Sequence, residues 1–198
     1  AFFTFYKYYK DPTGFHGLAS ASSMDRNRDI ALMGAAFKGH DDMAMHLIDT
    51  GADVNVFHGG RTALILAGEH GNMNIALALI AAGADLDAVT DHGCSALMWA
   101  AESGHADVAV MLIEKGANLD IREEKNGCTA LMSASANGGV EIVDALLANG
   151  ADATICDNRY GSNSLIIASQ NGHADVATSL INSGLDVNYQ NKDGWTAL

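Results

Sequence analysis

The sequence is poor in proline and cysteine, and it has no long apolar run. Its 198 residues include one proline and three cysteines. The single proline excludes collagen-like and proline-rich chains. Cys94, Cys128 and Cys156 form neither a Cys-x-x-Cys pair nor a Cys/His ligand spacing, so the sequence predicts no zinc site. No run reaches the ~18–20 apolar residues that a membrane-spanning helix needs.

Catalytic motifs are also missing. The sequence contains no G-x-S-x-G, H-E-x-x-H, G-x-G-x-x-G or Walker A motif. The adjacent carboxylates Asp41-Asp42 and Glu123-Glu124 have no third ligand at metal spacing. We expect both pairs to be solvated, as charged side chains usually are. The sequence therefore predicts a protein that is not an enzyme, with no metal and no cofactor.

Basic residues are scarce and unevenly placed. Lys and Arg number 11 against 24 Asp and Glu, giving a formal net charge of -13. Residues 1–38 hold five basic and three acidic residues, so the remainder holds 6 basic and 21 acidic, a net charge of -15. This balance argues against a nucleic-acid partner. It favours protein partners with a basic patch, bound in a salt-sensitive way.

Glycine is frequent, and it marks an internal repeat. Gly-Ala-Asp or a close variant begins at Gly51, Gly83, Gly116, Gly150 and Gly184, with spacings of 32, 33, 34 and 34. A second set keeps the same period: Gly39, Gly71, Gly104, Gly138 and Gly172. Several markers that share one period of 20–50 residues indicate a repeat architecture.

Each unit is predicted to be a pair of helices. In the third unit, Ser95 is suited to cap a first helix, and Gly104 is suited to end it. Val108, Met111 and Leu112 then recur at i, i+3 and i+4, as on one face of a second helix. One such pair cannot bury its own apolar face, but stacked copies can, which indicates a solenoid.

The segments DHGCSALMWAAESGHADVAVMLIEKGANLD and KNGCTALMSASANGGVEIVDALLANGADAT strongly resemble the ankyrin repeat. The resemblance implies an all-α solenoid of stacked helix-turn-helix units with β-hairpin-like connecting turns. It divides the chain into an aromatic-rich extension and linker, 1–24, and a repeat domain, 25–198. The repeats are expected at 25–57, 58–89, 90–123, 124–157, 158–190 and, in part, 191–198.

The sequence departs from the family pattern in the first helices. The Pro of the family's Thr-Pro-Leu-His segment is replaced by Ala or Ser, and its His by Met33, Ile65, Met98, Met132 and Ile166. Apolar packing is expected to replace the contacts of that His. Another histidine, at His40, His105 and His173, occupies one position in three repeats, too far apart for shared zinc bonds of ~2 Å. The resemblance implies that it holds the turn between the two helices.

The resemblance also implies a partner-binding surface, formed by the turn tips and the ends of the first helices. The corresponding positions are Phe37, Lys38, Arg61, Glu69, His70, Asp91, His92, Glu102, Lys125, Asn126, Arg159, Tyr160, Gln170, Asn171, Lys192 and Trp195.

Trp99 is assigned to packing within the stack. Cys94 and Cys128 lie in neighbouring repeats about 10 Å apart, beyond the ~7 Å reach of a disulfide, so free thiols are expected.

The first 15 residues carry seven of the chain's 13 aromatic residues: Phe2, Phe3, Phe5, Tyr6, Tyr8, Tyr9 and Phe15. Three interpretations stay open for this aromatic segment. It caps the apolar edge of repeat 1, it docks into a partner protein, or it lies at a membrane interface, where Tyr and Lys are favoured.

At the other end, a repeat cut inside its first helix leaves an apolar face, so we expect a continuing chain or a covering partner.

Three functions are therefore compatible with the sequence. The first is a non-catalytic scaffold or adaptor that binds a protein partner on its concave face. The second is an accessory subunit of a large assembly, membrane-bound or not, docked through the aromatic segment. The third is the regulatory segment of a longer enzyme or channel. The sparse cysteines favour an intracellular, reducing compartment, the cytosol or an organelle. The oligomeric state and the partner's identity are left open.

Overall fold

The computed structural model describes residues 23–197, and the aromatic segment lies outside this range. Within it the protein is all-α, as predicted, with ten helices: α1 (Ser23–Lys38), α2 (Asp41–Asp49), α3 (Ala63–His70), α4 (Met73–Ala81), α5 (Ala96–Ser103), α6 (Ala106–Glu114), α7 (Ala130–Asn137), α8 (Val140–Ala148), α9 (Ser164–Gln170) and α10 (Ala174–Asn182). Helix α1 begins two residues before the predicted boundary at residue 25. None of these helices combines the length and apolarity that a bilayer crossing requires.

The helices form two layers. The first helix of each repeat packs on the first helix of the next, from α1 through α3, α5 and α7 to α9. The second helices, α2, α4, α6, α8 and α10, stack in the same order and form the outer layer. The core lies between the layers, with Leu64, Leu97, Leu131 and Leu165 at one repeat position, each at most 2% exposed.

The first helices begin and end where the sequence predicts. The side chains of Thr62, Ser95, Thr129 and Asn163 accept a hydrogen bond from the backbone N–H three residues later, which satisfies a donor that the helix leaves free. The residues that replace the family's His are buried, from Met33 to Ile166. Apolar packing therefore takes the place of that histidine, as expected.

The hairpin-like turns are held by a buried polar residue at their base. Thr90, Glu123, Asp157 and Asn191 occupy this position in successive repeats. The carboxylate of Glu123 accepts hydrogen bonds from the backbone N–H groups of Lys125 and Asn126. The expectation that both glutamates of Glu123-Glu124 are solvated is therefore wrong for Glu123, which is 3% exposed. Its side-chain oxygens are needed inside the turn, because the tight loop leaves two N–H groups without backbone acceptors.

Acidic side chains also join the long turns of neighbouring repeats. The carboxylates of Asp87 and Asp120 each accept a hydrogen bond from a backbone N–H of the following repeat, at 2.8–2.9 Å. In the first repeat the side-chain oxygen of Asn55 does the same for the N–H of Asp85, while Asp29 on α1 accepts from the N–H of Asp53 within its own repeat. Part of the negative charge of the chain therefore stabilises the backbone of the turns.

His105 and His173 join adjacent repeats. Their Nε2 atoms lie 3.1 Å from the carbonyl oxygens of Glu69 and Ala136, at the end of the preceding first helix. The resemblance implies that this histidine holds a turn between two helices, and the turn that it contacts is that of the preceding repeat. The imidazole of His105 lies against Gly71, and that of His173 lies against Gly138. Both glycines have a positive φ, and a Cβ atom added to either one would lie 2.6 Å from a ring nitrogen. The two glycines therefore both end a helix and admit the ring.

The fifth repeat carries the apolar face expected there. Ile181 on α10 is 44% exposed, whereas Ile113, at the same repeat position on α6, is 4% exposed. The difference arises because α8 covers Ile113, and no described helix follows α10.

Replacing His105 by Ala should lower the free energy of unfolding by about 1 kcal/mol, because one buried hydrogen bond between repeats is lost. His40→Ala is the matched control, since His40 occupies the same repeat position, is exposed, and has no preceding repeat in the described part of the chain. Urea unfolding followed by circular dichroism measures both. Equal effects of the two substitutions would contradict the role assigned to His105.

The three cysteines are free thiols, as predicted. Burial, with the nearby carboxylate of Glu123, raises the pKa of both Cys94 and Cys128 to about 12. At pH 8 the thiolate fraction of each cysteine is therefore about a thousandfold smaller than that of a thiol with the ordinary pKa of 9.0. The thiolate is the reacting species, so both residues should resist iodoacetamide in the folded protein and react fully in urea. Rapid labelling of Cys94 in native buffer, seen by mass spectrometry, would show that the assigned burial is wrong.

Candidate functional site

The candidate surface consists of the turn tips and the ends of the first helices, and we call it the concave surface. Neighbouring tips are connected through the backbone: Glu124 donates to the carbonyl of His92, and Asn158 to that of Asn126. The last tip continues the series, with the N–H of Lys192 donating to the carbonyl of Tyr160 at 2.8 Å. The tips therefore form one continuous edge, and their side chains have fixed positions relative to one another.

The structure leaves every predicted surface position at least partly accessible. Exposed positions are Phe37, Lys38, Asp91, His92, Glu102, Lys125, Arg159, Tyr160, Gln170, Asn171, Lys192 and Trp195. Partly buried positions are Arg61, Glu69, His70 and Asn126. The predicted docking residues of the aromatic segment, from Phe2 to Phe15, lie outside the described residues.

One group of these side chains comes together across the first three repeats. The rings of Phe37 and His70 are 4.4 Å apart between centroids, and the interplanar angle is 58°. The guanidinium of Arg61 pairs with the carboxylate of Glu69. The same guanidinium lies over the ring of Trp99, with 4.9 Å from Cζ to the ring centroid. We call these five side chains the first cluster.

Trp99 belongs to both the core and the concave surface. It packs against the core, as predicted, while its ring carries Arg61. Its indole N–H is buried and finds no hydrogen-bond acceptor among residues 23–197. The interpretation of Trp99 as packing alone missed its contact with Arg61, because only the register between repeats brings the two together. The sequence gives one sign of this contact: Arg61 lies next to the N-cap Thr62, and Trp99 lies one turn after the N-cap Ser95, so both are near the start of a first helix.

The electrostatics of the first cluster centre on Glu102. Its side chain is exposed, yet partial burial of the carboxylate raises its pKa above the ordinary value, and the charges of Glu69 and Glu123 raise it further. Arg61 is paired with Glu69, and within the described residues the carboxylate of Glu102 has neither a hydrogen bond nor an ion pair. A positive group brought next to Glu102 would therefore gain a favourable interaction.

A second cluster forms on the last two tips. The guanidinium of Arg159 lies over the ring of Tyr160, with 4.8 Å from Cζ to the ring centroid. The Nζ atom of Lys192 donates to the carbonyl of Asn158 at 2.6 Å. Trp195, on the same tip as Lys192, is 63% exposed. The two tips therefore present one ring that carries a cation, Tyr160, and a second exposed ring, Trp195, on the same turn as Lys192.

Asp91 and His92 line a small hollow together with Arg61 and Trp99 of the first cluster. Four other predicted positions belong to neither cluster. Asn171 donates to the carbonyl of Ile167 in its own helix. Lys38, Lys125 and Gln170 form no side-chain hydrogen bond or ion pair within the part of the chain that the structure describes. In that same part, no three His, Cys, Asp or Glu side chains converge in a way that could hold a metal ion.

Comparison with protein families identifies the chain. A family model described as ankyrin repeats, in three copies, matches residues 11–90 and again 79–157. A model of the single ankyrin repeat matches residues 160–192. The chain belongs to the ankyrin repeat family. Ankyrin repeats are generally protein–protein interaction modules, and proteins built from them are typically non-catalytic.

Glu102→Gln should raise the thermal unfolding midpoint at pH 7. The pKa of Glu102 is higher in the folded than in the unfolded state, so the protonated form favours folding, and this contribution is lost as the pH rises through the folded pKa. The gain should shrink as the pH falls below the ordinary value of 4.5, where the native side chain is itself neutral. Glu114→Gln, an exposed carboxylate on α6, is the control. A gain that is independent of pH would contradict the assigned cause.

Proposed function

We propose that this protein is a non-catalytic scaffold or adaptor that binds a protein partner on its concave surface. The observation that carries the proposal is the presence of two aromatic and cationic clusters at positions fixed by the stack. Arg, Tyr and Trp are the residue types in which binding hot spots are enriched. Rigid tips also reduce the ordering cost of association, because their backbone is already held from repeat to repeat.

The charge of the surface indicates the kind of partner. The uncompensated carboxylate of Glu102 lies beside the first cluster, and its protonation is favoured by Glu69 and Glu123. A basic side chain of the partner would pair with Glu102 there, while Phe37 offers an exposed apolar contact. The net charge of the chain, -13, would steer such a partner toward the protein. We therefore propose a partner with a basic patch, and no role for nucleic acid.

Substitution of Arg159 and Tyr160 by Ala should reduce partner retention about tenfold or more, the loss expected when hot-spot residues are truncated. The full tagged chain is cross-linked in native extract, and bound proteins are quantified by mass spectrometry. Tyr160→Ala keeps the backbone carbonyl that accepts from Lys192, so the tip itself is retained. Retention should also fall as the salt concentration rises.

The matched control is Thr178→Ala, an exposed position on the outer helix α10 of the same repeat. Its hydroxyl bonds only to the carbonyl of Ala174 in its own helix. A partner that is lost equally with Thr178→Ala, or kept when both Arg159 and Tyr160 are replaced, would contradict binding at the concave surface. Thermal unfolding of each variant separates loss of binding from loss of fold.

A further inference from the structure

An apolar groove opens on the outer layer, on the side away from the concave surface. It has a volume of about 320 Å³ and lies between α2 and α4. It is lined by Met45, Ile48, Asp49, Ala78, Ala81 and Ala82. Met45 is 41% exposed, and Leu77 on α4 is exposed beside it. The small alanine side chains and the adaptable methionine leave room for large apolar groups.

The groove is confined to the first two repeats. At the repeat position of Met45, the fourth and fifth repeats carry the polar residues Asp144 and Thr178. At the position of Ala82, the third to fifth repeats carry Lys115, Asn149 and Ser183. The stack itself therefore does not require an apolar groove, because the fourth and fifth repeats fold with polar residues at both places.

The groove opens at the end of the molecule where α1 begins. Its walls are the last turns of α2 and α4, and Ala82 caps α4. Arg28, in the second turn of α1, donates from Nη1 to the carbonyl of Thr50, which caps α2, at 2.9 Å. Asp29 accepts from the backbone N–H of Asp53 at 2.9 Å. The first turns of α1 therefore contact the chain at the end of α2, the helix that forms one wall of the groove.

That preceding chain contains the aromatic segment, whose chemistry suits the groove. Seven aromatic residues within positions 2–15 supply large apolar side chains, and Lys7 and Lys10 stand among them. Asp49 on the groove wall offers a carboxylate for one of these lysines. Residues 16–22 would span up to about 23 Å if extended, at ~3.3 Å per residue. Ser23 lies ~7.5 Å along α1 from Arg28, at ~1.5 Å per residue, and the Arg28 side chain reaches the end of α2. A connector of this length is therefore compatible with a segment that runs from Ser23 back past the end of α2.

We propose that the aromatic segment, residues 2–15, binds in the groove between α2 and α4 of its own chain. The segment thereby covers the apolar residues of both surfaces, and the first two repeats are joined on their outer layer as well as through the core. The proposal is independent of the concave surface, which lies on the other layer and stays open to a partner.

Photo-cross-linking in the full chain tests the proposal. Tyr6 is replaced by p-benzoylphenylalanine, an aromatic residue whose excited state reacts preferentially with methionine. Irradiation of the dilute protein should produce a cross-link within the chain to Met45, or to another residue that lines the groove, identified by peptide mass spectrometry. Because the bond forms within one molecule, its yield should not depend on protein concentration.

A groove variant sharpens the test. Ala82→Lys should lower the yield of the cross-link about tenfold, because a lysine at this place opposes Lys7 and Lys10 and puts a charge against apolar rings. Repeat 3 already carries Lys115 at this position, so the substitution is compatible with the fold. Asn149→Lys, the same change in the fourth repeat, should leave the yield unchanged.

Three results would overturn the proposal. A cross-link to Met43 instead of Met45 would place the segment on the first edge of the stack. A cross-link that forms only between chains, together with a dimer in light scattering, would make a second copy the occupant. The absence of any cross-link to the repeat domain in the folded chain would show that the groove is not the site of the segment.

Discussion

The stacking of each helix pair on the next is the contact on which the rest of the structure depends. A single pair leaves its apolar side chains in water, whereas the stack buries Leu64, Leu97, Leu131 and Leu165 in one continuous core. Side-chain hydrogen bonds also run between neighbouring repeats. His105, His173 and Asn72 each bond to a carbonyl of the preceding repeat, and Asp87 and Asp120 in the long turns bond to the following one. Hydrophobic burial therefore brings the repeats together, and hydrogen bonds fix their register.

This register decides which acidic residues remain available for recognition. Glu123 and Asp157 are buried in turns, where their carboxylates accept backbone N–H groups. Asp87 and Asp120 accept hydrogen bonds from the backbone of the next repeat. Glu102, beside the Arg61–Glu69 pair, has no ion pair in the described range. It is therefore one of the carboxylates that can pair with a partner.

The two layers also differ in what they present. The concave surface combines exposed aromatic rings with cations, as in Arg159 over Tyr160. The outer layer carries an apolar groove between α2 and α4, whereas at the position of Met45 the fourth and fifth repeats carry Asp144 and Thr178. The concave surface has the composition of a binding surface, and the outer layer carries this groove. A partner on the tips and the aromatic segment in the groove can therefore be accommodated together.

The sequence by itself determined the repeat, the helix boundaries and the free thiols, because these depend on local rules. Glycine ends a helix, and Ser, Thr or Asn caps one, wherever they stand. Only the tertiary structure decided the burial of Glu123, the partner of His105 and the place of Arg61 over Trp99. Each of these contacts joins residues that are brought together by a turn or by the rotation between repeats. A spacing along the chain marks where a repeat begins, but it does not measure how far one repeat turns against the next.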